Sequence, residues 1–183
     1  HKAPVYRDAE GSQGLRLCTS SIRRFSPDTL DPNIHHNNLI QSIMAKVEAN
    51  ANGADDALML DTRGFMAETN ATNVFIVAPY PPHSTKNESM VQTSRPVACP
   101  EGITRQAVLD LCKEHKIEHI ERDISLAHMY NASECFTTGT MGELAWVGSI
   151  DGRVIGDGKM GPITQKLSKL FIKKTKSEGV SVC

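Results

Sequence analysis

The sequence lacks the features of a membrane protein or a nucleic-acid-binding protein. No apolar run approaches the roughly 18 residues that a membrane-spanning helix requires, and a formal net charge of -1 gives no general attraction to nucleic acid. No basic leader with an apolar core is visible at the start, so no signal peptide is predicted and an intracellular location, cytoplasmic or organellar, is expected. The chain does contain 39% apolar residues among 183, enough for the core of one domain.

Cysteine and metal-binding patterns are also missing. The five cysteines are widely spaced and form no C-x-x-C pair, which argues against a disulfide framework and against a zinc site. We expect free thiols in a reducing compartment, most of them buried as small apolar side chains. The adjacent pair His35-His36 cannot bind one metal ion together, because neighbouring side chains point in different directions on a helix or strand. No metal site is predicted.

The spacing of apolar residues predicts a mixed α/β domain. Helices are predicted from Asn38 to Ala51, at 104–116 and from about 162 to 176, with a short helical turn at 125–130 capped by Ser125. Strands are predicted at 15–19, 57–60, 65–68, 73–77, 117–124 and 135–138, with a tight hairpin at 146–155 around Asp151-Gly152. We expect residues 15–183 to be the domain itself and residues 1–14 to be a connector from a missing N-terminal domain. The polar stretch from 80 to 95 is predicted to be one long, disordered loop.

Three short segments place polar groups at the ends of predicted strands or helices. Glu68 ends an apolar strand, either as a buried carboxylate with a cationic partner or as an exposed strand end. The segment Gly102-Ile103-Thr104 precedes a helix, where its backbone N–H groups and hydroxyl could bind an anion, or Thr104 could simply cap the helix. The segment Thr138-Gly139-Thr140 ends a strand, either as a ligand-binding loop or as a simple turn.

The segment Gly156–Gly161 fits the pattern G-x-G-x-x-G. A dinucleotide site would require a following strand that ends in an acidic residue about 20 positions later. A helix is predicted there instead, so we interpret the segment as a glycine-rich turn that leads into the last helix.

Taken in order, these segments resemble the class IV (fold type IV) pyridoxal-phosphate aminotransferases, which include branched-chain aminotransferases, D-amino acid aminotransferases and aminodeoxychorismate lyases. The resemblance spans nearly the whole chain and rests on these pieces: Asn38-Leu-Ile, Gly64-Phe-Met-Ala-Glu68, Asn73-Val-Phe, Gly102-Ile-Thr-Arg105, Gly139-Thr140, Asp151-Gly-Arg153 and Gly156-Asp-Gly-Lys159. The branched-chain branch is the most similar, and the other two activities are alternatives. The resemblance implies a mixed sheet partly closed into a barrel with flanking helices, an amino acid or keto acid substrate, and a homodimer.

The resemblance also implies roles for individual residues. Glu68 would hold a proton on the pyridine nitrogen of pyridoxal 5'-phosphate. The segment Gly102, Ile103 and Thr104 would bind its phosphate, through backbone N–H groups and a hydroxyl. Thr140 would contact the phosphate or the substrate carboxylate, helped by the backbone at Met141.

Three positions depart from the family pattern. His35 stands where the family has its Schiff-base lysine, and it cannot form an imine because that requires a primary amine. Lys46 lies about three helical turns further along and is a poor substitute. Leu39 replaces a tyrosine common in branched-chain enzymes and Thr72 replaces an acidic residue, so a hydrogen-bonded Tyr–Glu pair of the family is absent. Any cofactor is therefore expected to bind non-covalently.

Two hypotheses follow from this combination. In the first, the protein is a transaminase-like enzyme in which His35 moves a proton at the substrate Cα, since imidazole titrates near neutral pH. In the second, the domain is a catalytically silent homologue that binds the cofactor or regulates a partner.

Overall fold

The computed structural model describes residues 14–34, 36–79 and 89–178. Within these ranges the elements follow in this order: β1 Leu15–Thr19, α1 Ile40–Ala51, β2 Asp56–Leu60, β3 Met66–Thr69, β4 Asn73–Pro79, β5 Ser89–Thr93, α2 Ile103–Glu114, β6 His119–Glu121, α3 Leu126–Tyr130, β7 Glu134–Gly139, β8 Glu143–Ile150, β9 Arg153–Val154 and α4 Pro162–Ser177. His35, a predicted site residue, lies outside the described residues, as do residues 1–13 of the predicted connector.

The strands form one curled, mixed sheet. Its order is β3-β2-β1-β8-β7-β4-β5-β6, with β9 paired to β8. Strand β1 is parallel to both β2 and β8 and β5 is parallel to β6, whereas the other pairs are antiparallel. A tight turn, closed by the Thr69 N–H donating to the Thr72 carbonyl at 2.8 Å, connects edge strand β3 to β4 in the middle of the order. The sheet must therefore curl, and the predicted mixed sheet, partly closed into a barrel with flanking helices, is confirmed.

Strand β4 is buried on both faces and separates two hydrophobic cores, as its continuous apolar sequence predicts. Val74 and Ile76 face a core inside the curled sheet, together with Leu58, Ile124 and Ile150. The alternate residues face a second core beneath α2 and α4, where the rings of Phe75 and Phe136 stack with centroids 5.0 Å apart. Helices α2 and α4 therefore pack against the same face of the sheet, and α2 begins beside the strand ends that carry the predicted site.

Helix α1 is confirmed, but its large apolar side chains face outward. Ala45 and Ala49 are buried against β2. The stripe of larger apolar residues on its other side remains 48 to 55% exposed; it consists of Ile40, Ile43, Met44 and Val47. Periodicity identified the residues that share a face, but not which face the sheet covers, because small residues allow the closer approach of helix to sheet.

One predicted loop was partly wrong. Ser89–Thr93, within the expected loop at 80–95, forms β5, because it pairs with β4 on one side and β6 on the other. Residues 80–88 lie outside the described residues. The strand predicted at 117–124 is shorter than expected and covers only His119–Glu121.

Several local predictions are confirmed. Ser125 caps α3 in a capping box with His128, and Asp151-Gly152 forms the β8–β9 turn, with φ of 52° and 75°. Three of the cysteines are buried free thiols, namely Cys99, Cys112 and Cys135. No helix in the described part of the chain is long and apolar enough to cross a bilayer.

The glycine-rich segment before α4 is a turn, as predicted. The Glu134 carboxylate accepts hydrogen bonds from the backbone N–H groups of Ile163 at 3.0 Å and Thr164 at 2.7 Å, and from the Thr164 hydroxyl at 2.7 Å. The N-terminus of α4 is thus filled by a side chain of this chain, which leaves no place there for a dinucleotide phosphate.

Candidate active site

A cavity of about 320 Å³ lies where the ends of β3 and β7 meet the N-terminus of α2. Its lining includes five of the residues that the sequence singled out: Glu68, Gly102, Ile103, Thr104 and Thr140. Met141 follows Thr140 but is 67% exposed and is not among the lining residues. The structure thus brings together residues that are up to 72 positions apart in the chain, from Glu68 to Thr140.

Close packing shapes the entry into α2. Gly102 is the N-cap residue in an extended conformation, and no side chain caps this helix end. A Cβ atom at Gly102 would lie 2.1 Å from Oδ1 of Asn73, whose amide nitrogen donates to the Pro100 carbonyl at 3.2 Å. Thr104 lies inside the first helical turn and not at the cap position, so the simple-cap interpretation does not hold. The first N–H groups of a helix have no partner within the helix, and here they border a cavity.

Glu68 is a buried carboxylate with a cationic partner. It is only 6% exposed, and its Oε1 lies 2.8 Å from Nη2 of Arg24. Burial raises the pKa of Glu68 to about 7, because the loss of hydration outweighs the opposing attraction of Arg24. Its carboxylate therefore changes charge near neutral pH, in a place where a further positive group would favour the ionised form.

Sequence reasoning missed Arg24. It follows Arg23 in the irregular stretch after β1, and Arg23 is exposed whereas Arg24 is partly buried. No local pattern distinguishes these neighbours, because the ion pair connects residues 44 positions apart. Only the fold reveals which arginine reaches the carboxylate.

Thr138 has the property expected of a ligand-binding residue. Its hydroxyl is buried and, within the described part of the chain, has no hydrogen-bond partner. Thr138 is 2% exposed and lines the same cavity. An unpaired buried hydroxyl costs roughly 1–3 kcal/mol, so a polar ligand in the cavity would relieve that cost.

The strand end at Gly139 also needs its glycine. A Cβ atom there would lie 2.8 Å from Cγ2 of Thr72, which also lines the cavity. The hydroxyl of Thr72 lies 2.7 Å from that of Thr69. Thr72 therefore contacts a residue of its own β3–β4 turn, and Leu39 is 54% exposed.

Asn33, two residues before position 35, is anchored beside the cavity. The side-chain amide of Asn33 donates to the Pro96 carbonyl at 3.2 Å, and its oxygen accepts from the N–H of Glu101 at 3.3 Å. Glu101 itself lines the cavity. Asn33 is thus tied to the loop that leads into α2.

The described cavity lining contains no lysine. Lys46 is engaged elsewhere, because its Nζ lies 3.2 Å from Oδ1 of Asp56 and donates to the carbonyl of Asp55. These contacts hold the Lys46 ammonium at β2 and the turn before it.

The lining groups suit a phosphorylated heterocycle. A helix N-terminus with hydroxyls beside it can bind a phosphate, a buried carboxylate can pair with a protonated ring nitrogen, and Thr138 provides an unused hydroxyl. The site is therefore compatible with pyridoxal phosphate on the chemistry of its own residues.

Comparison with known proteins agrees with this chemistry. Residues 1–150 match the profile of a family described as Amino-transferase class IV. The chain is 47% identical to the Branched-chain-amino-acid aminotransferase-like protein 1 of Arabidopsis thaliana over 99% of its own length, but over only 30% of that protein.

Solved structures show the same fold. The T.th. branched-chain amino acid aminotransferase, complexed with N-(5'-phosphopyridoxyl)-L-glutamate, aligns with a TM-score of 0.82 at 32% identity, covering 91% of this chain and 53% of that one. The same enzyme with pyridoxamine 5'-phosphate aligns with a TM-score of 0.82 at 32% identity, again over 91% and 53% of the two chains. This chain spans about half of that enzyme and less than a third of the plant relative. By sequence profile and by fold, the chain belongs to the class IV aminotransferase family.

Proposed function

We propose that this protein is a pyridoxal-phosphate-dependent aminotransferase-like protein that acts on branched-chain amino acids, with His35 at the position of the family lysine. The observation that carries the proposal is the shared cavity lined by Glu68, Ile103, Thr104 and Thr140. These residues have no packing reason to share one cavity, and the resemblance to the family implies a cofactor contact for each of them. The related T.th. enzyme binds a phosphopyridoxyl compound.

Each lining residue has a task in this proposal. The phosphate is bound by the N–H groups of Ile103 and Thr104, and by the Thr104 hydroxyl, next to Gly102. Thr140 donates its hydroxyl to the phosphate or to the substrate carboxylate, with the backbone of Met141 beside it. Glu68 holds a proton at the pyridine nitrogen. The bound cofactor supplies an electron-withdrawing ring that makes the substrate Cα proton acidic.

In this proposal His35 moves that proton. An imidazole titrates near neutral pH and can act as base and then as acid. Because it provides no primary amine, the cofactor is held by non-covalent contacts alone. The anchoring of Asn33 to the loop before α2 supports a place for this segment beside the cavity.

A second candidate is a catalytically silent protein that binds the cofactor or regulates a partner. The absence of lysine from the described cavity lining favours it, as do Leu39 and Thr72 in place of the family's tyrosine and acidic residue. The enzyme candidate requires the cofactor pocket and turnover that depends on His35, whereas the silent candidate requires the fold but no turnover.

We further propose that residues 15–183 are the cofactor-binding domain of a longer protein that forms homodimers, with residues 1–14 as the connector. The coverage of only about half of a related enzyme supports the first part. The outward apolar stripe of α1 leaves room for a covering partner. Analytical ultracentrifugation of the purified protein tests the dimer, and a monomer at all concentrations would contradict it.

The decisive test compares His35 with its neighbour. With leucine, isoleucine or valine and 2-oxoglutarate, the His35→Ala variant should lose turnover, whereas the control His36→Ala should retain it. The His35→Lys variant should gain a covalent cofactor label after borohydride reduction, located by mass spectrometry. Cofactor binding without turnover in the unmodified protein would select the silent candidate, and a label on a lysine of the unmodified protein would remove His35 from its assigned role.

A further inference from the structure

The guanidinium of Arg24 contacts three separate segments: strand β3, whose Glu68 lines the cavity, helix α1 and the loop before α2. Its Nη2 lies 2.8 Å from Oε1 of Glu68 on β3. Its Nη1 donates to the hydroxyl of Ser42 on α1 at 3.0 Å, and its Nε donates to the Ala98 carbonyl, in the loop before α2, at 3.4 Å. One planar side chain therefore connects the buried carboxylate to both segments that flank the proposed phosphate and proton-transfer groups.

The backbone around Arg24 is fixed as well. The Arg24 N–H donates to the Leu60 carbonyl at 2.9 Å. The Gln41 side chain on α1 accepts from the N–H of Phe25 at 3.2 Å and donates to the carbonyl of Arg23 at 2.9 Å. The Arg24 side chain is only 14% exposed, so the guanidinium is held in one place and not merely attracted to the carboxylate.

Within the described residues, Arg24 is the one cation at ion-pair distance from Glu68. The nearby Arg105 is engaged with Glu121 and with the Ser94 carbonyl. Two further ionisable groups lie near Glu68 in the described part of the chain: the Cys99 thiol, whose pKa is raised to about 11 by burial and by Glu68, and Glu101. None of these is a cation that could replace Arg24.

We propose that Arg24 is a positioning residue for the cofactor ring: its anchored guanidinium favours the charged form of the Glu68 carboxylate and fixes its orientation for the pyridine nitrogen. This inference rests on the proposed function. A neutral carboxylic acid at Glu68 would not attract a protonated ring, so the electron-withdrawing state of the cofactor depends on a residue that does not touch it. Through its hydrogen bond to Ser42, Arg24 also connects the Glu68 carboxylate to helix α1, which follows the segment that contains position 35.

The test uses pyridoxamine 5'-phosphate, which needs no lysine, with ¹⁵N in its ring. Loss of one charge-assisted contact through Arg24→Gln should weaken its binding roughly tenfold and shift the ring-nitrogen resonance toward the unprotonated form. Arg24→Lys keeps the charge but not the planar guanidinium. Its affinity and its ring-nitrogen resonance should therefore lie between those of the unmodified protein and those of Arg24→Gln. The matched control is Arg23→Gln, which removes the exposed neighbour and should change neither quantity.

A double variant separates positioning from general structure. In a Glu68→Gln background, Arg24→Gln should change binding by less than about twofold, because its partner is already gone. An equal loss in both backgrounds, or an unchanged ring-nitrogen resonance in Arg24→Gln, would overturn the proposal. If Arg24→Gln does not fold, the same comparison is made with Arg24→Lys, for which an unchanged resonance and affinity would overturn it.

A measurement without cofactor distinguishes this inference from the proposed function. The ¹³C resonance of the Glu68 carboxyl carbon reports its titration directly. Its midpoint should move upward in Arg24→Gln and stay in place in Arg23→Gln; an unmoved midpoint in Arg24→Gln would overturn the role of Arg24. Failure of the unmodified protein to bind pyridoxamine phosphate would instead overturn the proposed function.

Discussion

The N-termini of α2 and α4 have similar residues, but a carboxylate caps the N-terminus of α4 whereas the N-terminus of α2 borders a cavity. Each follows an extended glycine, Gly102 or Gly161, and each has a threonine in its first turn. At α4 the Glu134 carboxylate accepts from two N–H groups and a hydroxyl. At α2 no described carboxylate takes that place, and the helix end opens into the cavity. Similar local sequences thus give a helix end closed by a carboxylate in one case and a helix end that borders a cavity in the other.

The two buried carboxylates differ in the same way. Glu134 and Glu68 are both 6% exposed, but Glu134 is satisfied by three donors whereas Glu68 has the single cation Arg24. A fully satisfied carboxylate stabilises the fold. One with a single partner can accept another, as a ligand-binding group must.

The largest effect is expected at the closed end. Glu134→Ala removes the acceptor of three hydrogen bonds, two of them buried, and should lower the free energy of unfolding by about 3 kcal/mol, measured by chemical denaturation. Because α4 does not line the cavity, the affinity for pyridoxamine phosphate should stay unchanged where the variant is folded. A fully stable Glu134→Ala protein would contradict the assignment of this end as structural.

The second effect depends on pH and belongs to Glu68. Its pKa in the folded protein is raised to about 7, above about 4.3 in an unfolded chain, so the neutral form is favoured by folding. The stabilising contribution is therefore fully present below pH 4.3 and is lost as the pH rises through 7. The glutamine in Glu68→Gln does not titrate. As the pH rises from 4.5 to 8, the free energy of unfolding of this variant should therefore increase relative to that of the unmodified, cofactor-free protein by up to about 3 kcal/mol. Denaturation curves across this range that stay parallel for the two proteins would contradict the burial argument.

The glycines offer a matched pair of intermediate size. At Gly102 an added Cβ would meet Asn73, and at Gly161 it would lie 2.1 Å from the Glu134 side chain. We expect each alanine variant to lose roughly 1–3 kcal/mol of stability through this overpacking. Only Gly102→Ala should also weaken pyridoxamine phosphate binding, measured by fluorescence titration, and equal binding losses in both variants would remove the distinction between the two helix ends.

The smallest effects should come from the two threonines. Thr164→Val loses one hydrogen bond to Glu134 and should cost about 1 kcal/mol of stability without a change in affinity. Thr104→Val should do the reverse, with an affinity lower by roughly five- to tenfold and little change in stability. Calorimetry measures the stability of both variants, and titration measures their affinity for pyridoxamine phosphate. If both variants lost stability and affinity to the same extent, the result would argue against a phosphate site at α2.

Much of the fold could be predicted from the sequence, because periodicity and turn residues act locally. Asp151-Gly152 specifies the hairpin, and the apolar run of β4 specifies burial on both faces. The resemblance to a known family named the residues around the cavity, although Gly102-Ile103-Thr104 alone could not decide between cap and anion site. Whether a helix end is capped or open depends on which side chain of a distant strand lies next to it, as Glu134 on β7 does at α4.

What could not be predicted depends on long-range contacts. Arg24 and Arg23 are chemically identical neighbours, and only the fold brings one of them to Glu68. Three of the five residues of β5 are polar and the strand is flanked by loop-like sequence, so its pairing with β4 and β6 overrides local propensity. The exposed apolar stripe of α1 has the periodicity of a core face. Spacing therefore predicts which residues share a face of the helix, but not whether that face is buried.

The most direct test of the central claim is an amide ¹H–¹⁵N titration of the protein with pyridoxamine 5'-phosphate. The account predicts saturable shifts at Ile103, Thr104 and Thr140, with Ile163 and Thr164 at the closed end of α4 unaffected. Shifts of similar size at both helix ends, or no shifts around the cavity, would contradict it.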